Sequence, residues 1–333
     1  MVDDTQHRDR QTPFASQQNG RCGFWLALSG AVPTGSRAGR HNSISNIQIC
    51  AGHSDPDRTA NHSGNSKGEP MTVFLTPVWS RMMSSALLVL SLGVSTALAE
   101  ESAGKSFVEN FDVMDPSFWY VSSGWNNGAH QNCTWSKKLV RFDNGQLELG
   151  FRDGRAGDRN YSCGEIQTKG RYRYGTYEAR IKAATGSGLN SAFFTYIGPV
   201  HKKPHDEIDM EILGKDMSQV QLNQYISAKG GNEKLADVAG DADKAFNDYA
   251  FIWEPKRLRY FVNGKMVHEV TDPAKIPQEP QKIFFSLWGT DTLKGWMGQF
   301  AYRGPTAMRV DRVAFTAPGD ACQFPESIAC QQN

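Results

Sequence analysis

Residues 205–214 read HDEIDMEILG. Within this stretch Glu207, Asp209 and Glu211 alternate with Ile208, Met210 and Ile212. On an extended strand, side chains project to opposite faces with a period of two. The three carboxylates therefore share one face and the three apolar side chains the other. The apolar face belongs in a core, so the acidic face must line a groove or an open surface. Three like charges at this spacing repel one another, and folding alone gives no reason to keep them. The residues themselves leave three readings open: a catalytic set, a solvated strand face, and a calcium site, since carboxylates suit that ion.

The catalytic reading has a definite chemistry. Hydrolysis of a glycosidic bond needs one ionised carboxylate to attack or to activate water, and one protonated carboxyl to serve the leaving oxygen. Crowded acids raise one another's pKa, which sustains such a mixed protonation state near neutral pH. Residues four apart on a flat strand have Cα atoms roughly 13 Å apart, whereas a retaining mechanism wants the carboxyls about 5–5.5 Å apart. Glu207 and Glu211 must then lean toward each other over Asp209.

Around this stretch the chain reads as short strands between turn signals. Alternating or aromatic runs recur at GQLELGFRD (145–153), YGTYEARIKA (174–183), SAFFTYIG (191–198), DYAFIWEP (248–255), LRYFVNGKMVHEV (258–270), KIFFSLWG (282–289) and MRVDRVAFT (308–316). Asn263-Gly264 is a two-residue hairpin signal, and Asn144-Gly145 is a second turn of the same kind. Pro255, Pro273, Pro277 and Pro280 fall between runs. Long helical periodicity and internal repeats are absent. The pattern predicts an all-β sandwich or jelly roll over residues 100–333. Trp119, Trp135 and Trp253 are assigned to packing, and the adjacent Phe193 and Phe194 must face opposite ways.

The N-terminal third reads differently. Residues 1–70 are rich in Gly, Ser, Asn, Arg and His and lack a sustained period, so they are expected to be a disordered leader from an over-extended start. From Met71, a basic Arg81, the apolar stretch SSALLVLSLGVSTALA (84–99) and a small-x-small ending at Ala97-Leu98-Ala99 make a secretory signal peptide over 71–99. True initiation is then expected at Met71, Met82 or Met83, and the mature protein is expected outside the cytoplasm, extracellular or periplasmic. In that compartment Cys133, Cys163, Cys322 and Cys330 suggest two disulfides, with three pairings open. Cys133–Cys163 and Cys322–Cys330 are favoured, the second closing a short C-terminal loop.

Composition narrows the partners. The 36 Lys+Arg against 35 Asp+Glu give a net charge of +1, which argues against a general nucleic-acid binder. No apolar run reaches about 18–20 residues, which argues against a helical membrane span. No exposed apolar stripe or heptad calls for a partner subunit, so a monomer is expected. A sugar groove needs flat rings and planar polar groups. Phe194, Tyr196, Trp288 and Trp296 are candidates for the first, and Asn127, Glu165, Gln221, Asn223 and Tyr225 for the second.

EIDME inside DEIDMEILGKD (206–216) resembles the active-site strand of glycoside hydrolase family 16, in its bacterial 1,3-1,4-β-glucanase (lichenase) branch. QNCTW (131–135), SCGE (162–165), YGTYEARIKA (174–183), SAFFTYIGP (191–199), GKDMSQVQLN (214–223), LW (287–288) and WMG (296–298) extend the likeness over nearly all of the region after Ala99. Within the family the chain resembles in particular the rhizobial secreted endo-1,3-1,4-β-glycanases that trim succinoglycan, an acidic exopolysaccharide. The resemblance implies a β-jelly roll of two curved antiparallel sheets, of the concanavalin A-like lectin and glucanase type, with substrate across the concave face. It implies Glu207 as nucleophile, Glu211 as general acid/base and Asp209 assisting between them, with retention of configuration and no cofactor in catalysis. It also implies pairing of Cys133 with Cys163, and the polar groove residues named above match family subsite positions. A structural calcium on the convex side would take the carbonyls of Asn110 and Gly145 with Asp311.

Departures from the lichenase pattern fall on the pocket walls. Gln167 stands where lichenases carry Arg, His205 where Trp is frequent, Ser286 for an Asn, and Gln224 where a second Tyr is usual. These changes weaken the case for cereal β-glucan or lichenan as substrate. His201, Lys202, Lys203 and His205 precede the strand and are expected either to face acidic substituents or to form a solvated loop. The rival readings are a lichenase or transglycosylase on the same scaffold and, from another class, a non-catalytic glycan-binding lectin.

Overall fold

The computed structural model describes residues 104–331. The leader and signal-peptide readings, 1–70 and 71–99, lie outside the described residues. In chain order the strands are β1 (Phe107–Glu109), β2 (Trp119–Val121), β3 (Cys133–Trp135), β4 (Val140–Asp143), β5 (Gln146–Ala156), β6 (Arg159–Thr168), β7 (Gly175–Lys182) and β8 (Leu189–Ile197). They continue with β9 (Asp206–Leu213), β10 (Gln219–Tyr225), β11 (Lys234–Asp237), β12 (Asn247–Glu254), β13 (Arg257–Val262), β14 (Lys265–Val270), β15 (Lys282–Gly289) and β16 (Thr306–Thr316). Every run read as a strand from its alternation is one. Among the described residues the α-helices are two single turns, Lys294–Met297 and Ile328–Gln331.

Among the described residues twelve strands form one hydrogen-bonded path, β11-β10-β9-β8-β15-β6-β5-β16-β7-β12-β13-β14, with β1 added on β16, β2 and β3 on β6, and β4 on β5. The path folds into two layers because β6 changes sheets midway. Its residues 161–163 pair with β5, and residues 164–167 pair with β15. Gly164 sits at that corner, where a Cβ would lie 2.6 Å from the Leu139 carbonyl oxygen, so no larger residue fits. Pairing is antiparallel except for the three residues of β3, which run parallel to β6. This is the jelly-roll arrangement expected.

Local chemistry explains the tight turns. Asn144 and Gly145 have φ of 53° and 69°, and Asn263 and Gly264 have φ of 48° and 76°. Both pairs thus carry the two left-handed residues that suit the twist of a hairpin. The core lies between the layers. Phe193 of β8 stacks on Phe285 of β15 at 5.2 Å and reaches across to Phe251 of β12 at 5.7 Å. Trp119, Trp135 and Trp253 are buried in the same core. Each fully buried large apolar side chain contributes roughly 1.5–3 kcal/mol. Two disulfides close the structure, Cys133–Cys163 and Cys322–Cys330, the favoured pairing.

Candidate active site

The site is built on β9 and its neighbours. Ile208, Met210 and Ile212 enter the main core, and the alternate residues Glu207, Asp209 and Glu211 face the other side of the sheet. Register then assembles rows across four strands. Gln221, Glu211, Ala192 and Ser286 form one row, and Asn223, Asp209, Phe194 and Phe284 the next. Tyr225, Glu207, Tyr196 and Lys282 form the third. Glu165 and Gln167 extend the first two rows onto β6. Asn127, Glu165, Ala192, Phe194, Ser286 and Trp288 close around the three acids to form one narrow cleft. Phe194 lines this cleft while Phe193 is core, as their adjacency requires.

Each acid has a distinct partner. Glu211 Oε1 accepts a hydrogen bond from Asn190 Nδ2 at 2.6 Å. Glu207 Oε2 lies 2.6 Å from His205 Nε2. Glu165 Oε1 accepts from the Ser122 hydroxyl at 2.6 Å. Burial pushes the Glu211 carboxyl up to about 8, against the pull of the Asn190 amide and with added repulsion from Glu207 and Glu233. Burial also raises Glu165 to about 8, opposed by Ser122. Asp209 is held well above the usual carboxylate range by burial, then by the charges of Glu207 and Glu211, and by its hydrogen bond to Glu207. The Oε1 atom of Glu207 is buried and has no other protein donor. Burial and mutual repulsion thus favour the protonated form of Asp209 and Glu211, beside a Glu207 whose other oxygen faces an imidazole.

The remaining groove candidates surround this centre. Trp296 stands 5.9 Å from Trp288 and donates from Nε1 to Gln221 Oε1 at 3.1 Å. Asn223 Oδ1 accepts from the Asn232 amide at 3.3 Å, and Tyr225 stacks on His205 at 5.1 Å. Tyr196 is buried, edge-on to the same imidazole at 5.0 Å. Gln167, in place of an arginine, is reached by Lys282 Nζ at 3.3 Å.

One reading of the sequence needs correction. His205 faces neither solvent nor substrate substituents, because it is buried between two tyrosines and bonded to Glu207. Lys203 likewise pairs with Glu279 at 2.9 Å. The signal for His205 was present in strand parity, since positions 205, 207, 209 and 211 share a face. Asn190 and Ser122 had no such signal, because they meet the acids only through long-range pairing. Asp206, on the other parity, is a structural acid that accepts from the amides of Ser227, Gln278 and Glu279.

Of the three calcium candidates, Gly145 and Asn110 are neighbours, and Asp311 is engaged by Gln146 and Arg180. A Cβ on Gly145 would stand 3.8 Å from the Asn110 carbonyl oxygen. Asp311 is the extra residue of a bulge between β16 and β7, which aims it at Gln146 (3.4 Å) and Arg180 (3.4 Å). One carboxylate and two carbonyls suit calcium in kind, although Arg180 shares that carboxylate.

Comparison with known proteins agrees with this geometry. Residues 127–304 match the family model described as Glycosyl hydrolases family 16. The chain is 69% identical over 227 residues to the endo-1,3-1,4-beta-glycanase ExoK of Rhizobium meliloti (strain 1021), covering 68% of this chain and 84% of that one. It is 36% identical over 230 residues to a beta-glucanase of Bacillus subtilis (strain 168), covering 69% and 93% respectively. Among solved structures, a prokaryotic beta-1,3-1,4-glucanase (lichenase) from a mouse hindgut metagenome superposes with a TM-score of 0.62 at 36% identity, over 64% of this chain and all but 1% of the other, 99% being covered. The Bacillus licheniformis beta-glucanase gives the same TM-score, 0.62, at 34% identity, over 65% of this chain and 100% of that chain.

Proposed function

The chain belongs to glycosyl hydrolase family 16 and is a glycosidase, and from that premise we propose a secreted, retaining endo-β-glycanase acting on a β-1,3-1,4-linked, glucan-type acidic exopolysaccharide such as succinoglycan. The observation that carries the chemistry is the cleft in which Glu207, Asp209 and Glu211 share one face, where burial raises the pKa of Asp209 and Glu211. In the first step a Glu207 oxygen forms a bond to the anomeric carbon while the bond to the leaving oxygen breaks and Glu211 gives that oxygen its proton. In the second, Glu211 takes a proton from water, whose oxygen displaces Glu207 from the anomeric carbon. Asp209 holds Glu207 through their shared proton. Two displacements restore the starting configuration.

The likeness to a rhizobial endo-1,3-1,4-beta-glycanase supports the linkage, and the Lys282 ammonium beside Gln167 on the site's face of the sheet supports an acidic polymer. Two disulfides support an oxidising compartment, with residues 71–99 as the exported signal and residues 100–333 as a monomeric catalytic domain. Asn110, Gly145 and Asp311 would hold a structural calcium that clamps the outer sheet and takes no part in catalysis. Purified mature protein is expected to turn over succinoglycan faster than lichenan, laminarin or xyloglucan when the four are compared side by side. Faster turnover of lichenan reassigns the substrate. Product lengthening on addition of an oligosaccharide acceptor identifies a transglycosylase, and binding without cleavage of any polymer identifies a lectin. N-terminal sequencing of the secreted form tests cleavage after Ala99.

A further inference from the structure

His205 contacts Glu207 directly and has no part in the double-displacement scheme. Its Nε2 lies 2.6 Å from Glu207 Oε2, and both side chains are almost wholly inaccessible, 2% and 1% exposed. The ring is gripped between Tyr225, stacked at 5.1 Å and 15°, and Tyr196, edge-on at 5.0 Å and 68°. The imidazole is therefore fixed in place and in tilt. Its other nitrogen, Nδ1, is buried with no protein partner. A proton on Nδ1 would be a buried donor left unsatisfied, whereas a bare lone pair there loses less. The tautomer that satisfies the site carries its proton on Nε2 and donates it to Glu207. Many side chains of this volume would fill the space between two tyrosines, but few would also present an N–H to a carboxylate.

Resting on the double-displacement reading above, we propose that His205 is a positioning residue that stabilises Glu207 as a leaving group, and so acts chiefly on the second displacement. Before reaction Glu207 is a carboxylate, and a hydrogen bond from His205 stabilises it. When Glu207 attacks, its negative charge disperses into the new bond to the anomeric carbon, so the hydrogen bond weakens and gives the first transition state no advantage. In the glycosyl ester the bond from His205 falls on a neutral acyl oxygen. During hydrolysis the bond between Glu207 and the anomeric carbon breaks, the electron pair returns to Glu207, and the water oxygen bonds the anomeric carbon as its proton passes to Glu211. A fixed donor aimed at a developing carboxylate is worth most at that moment. Asp209 also hydrogen-bonds Glu207, so the two neighbours together hold that carboxyl in one orientation.

The test uses 2,4-dinitrophenyl β-laminaribioside, whose leaving group makes the first step fast, with the wild type, His205→Phe and His205→Gln. Phenylalanine keeps the ring between the tyrosines and removes the donor, and glutamine restores a donor. For His205→Phe, kcat and KM are expected to fall together by about 10- to 100-fold, as loss of a hydrogen bond to a charged group implies. Their ratio should change less than about threefold, because it reports only steps up to the first displacement. A burst of dinitrophenolate and a protein mass increased by one disaccharide on Glu207 should appear, and both should diminish in His205→Gln. A fall in kcat/KM matching the fall in kcat, with no burst and no adduct, overturns the proposal and leaves His205 a packing residue. A wild type that inverts configuration overturns the double-displacement reading and this inference with it, and the product anomer distinguishes that failure from the first.

Discussion

The two faces of β9 are buried to nearly the same depth and do opposite things. Ile208, Met210 and Ile212 are 0%, 1% and 2% exposed, and Glu207, Asp209 and Glu211 are 1%, 4% and 7% exposed. On one face, removal from water is the driving force for folding. On the other it is a cost, which raises the pKa of Asp209 and Glu211 and is offset by hydrogen bonds from Asn190 to Glu211 and between His205 and Glu207. The sheet thus spends the stability of its inner face to hold reactive groups on its outer face, and burial alone does not tell the two apart. What distinguishes them is the neighbour across the register: Phe193 behind Met210, but Phe194 beside Asp209.

The largest expected effect is on the acidic face. Glu207→Ala and Glu211→Ala should each lose about 10³-fold or more in turnover while still binding polymer, as loss of a nucleophile or of general acid catalysis implies. Azide should rescue the Glu207 variant with inverted product, and retained turnover in either variant would erase the distinction between the faces. Next comes stability. Met210→Ala should cost roughly 2–5 kcal/mol in denaturant unfolding, whereas Glu211→Gln should leave stability equal or higher because it removes a buried ionisable group. Equal losses in both would mean that the acids are structural.

A third test is pH. Glu211 and Glu165 are raised from 4.5 to about 8 in the folded chain, so each binds its proton more tightly folded than unfolded. The resulting stability is complete below about pH 4.5 and is lost as pH rises through about 8. Melting temperature should therefore decline across that window, and the decline should be shallower in Glu165→Gln. The same proton on Glu211 predicts that kcat/KM falls above about pH 8. The smallest effect is expected from Gln221→Ala, which frees the Trp296 indole. Loss of one neutral hydrogen bond of about 1 kcal/mol should raise KM a few-fold with kcat little changed, measured on the preferred polymer.

Much of this arrangement was legible from local pattern. Alternation at 206–213 placed three acids on one face, and the two Asn-Gly pairs marked hairpins because their left-handed φ values are tolerated by few other residues. His205 was misread because a basic run of His201, Lys202, Lys203 and His205 looks like a surface, although its parity put it with the acids. Asn190 and Ser122 were illegible, since a hydroxyl or amide more than twenty residues from its carboxylate carries no local mark of the pairing.

The order of residues along the chain determined which side chains share a face, where the hairpins turn and which groups are able to exchange protons, because period and turn chemistry act over a few residues. Only the tertiary structure decided how far the acids are removed from water, which of them keeps a proton, and that an imidazole rather than a solvent shell meets Glu207. Those properties depend on register between distant strands, and the energy of a buried charge depends on everything within a few ångströms of it.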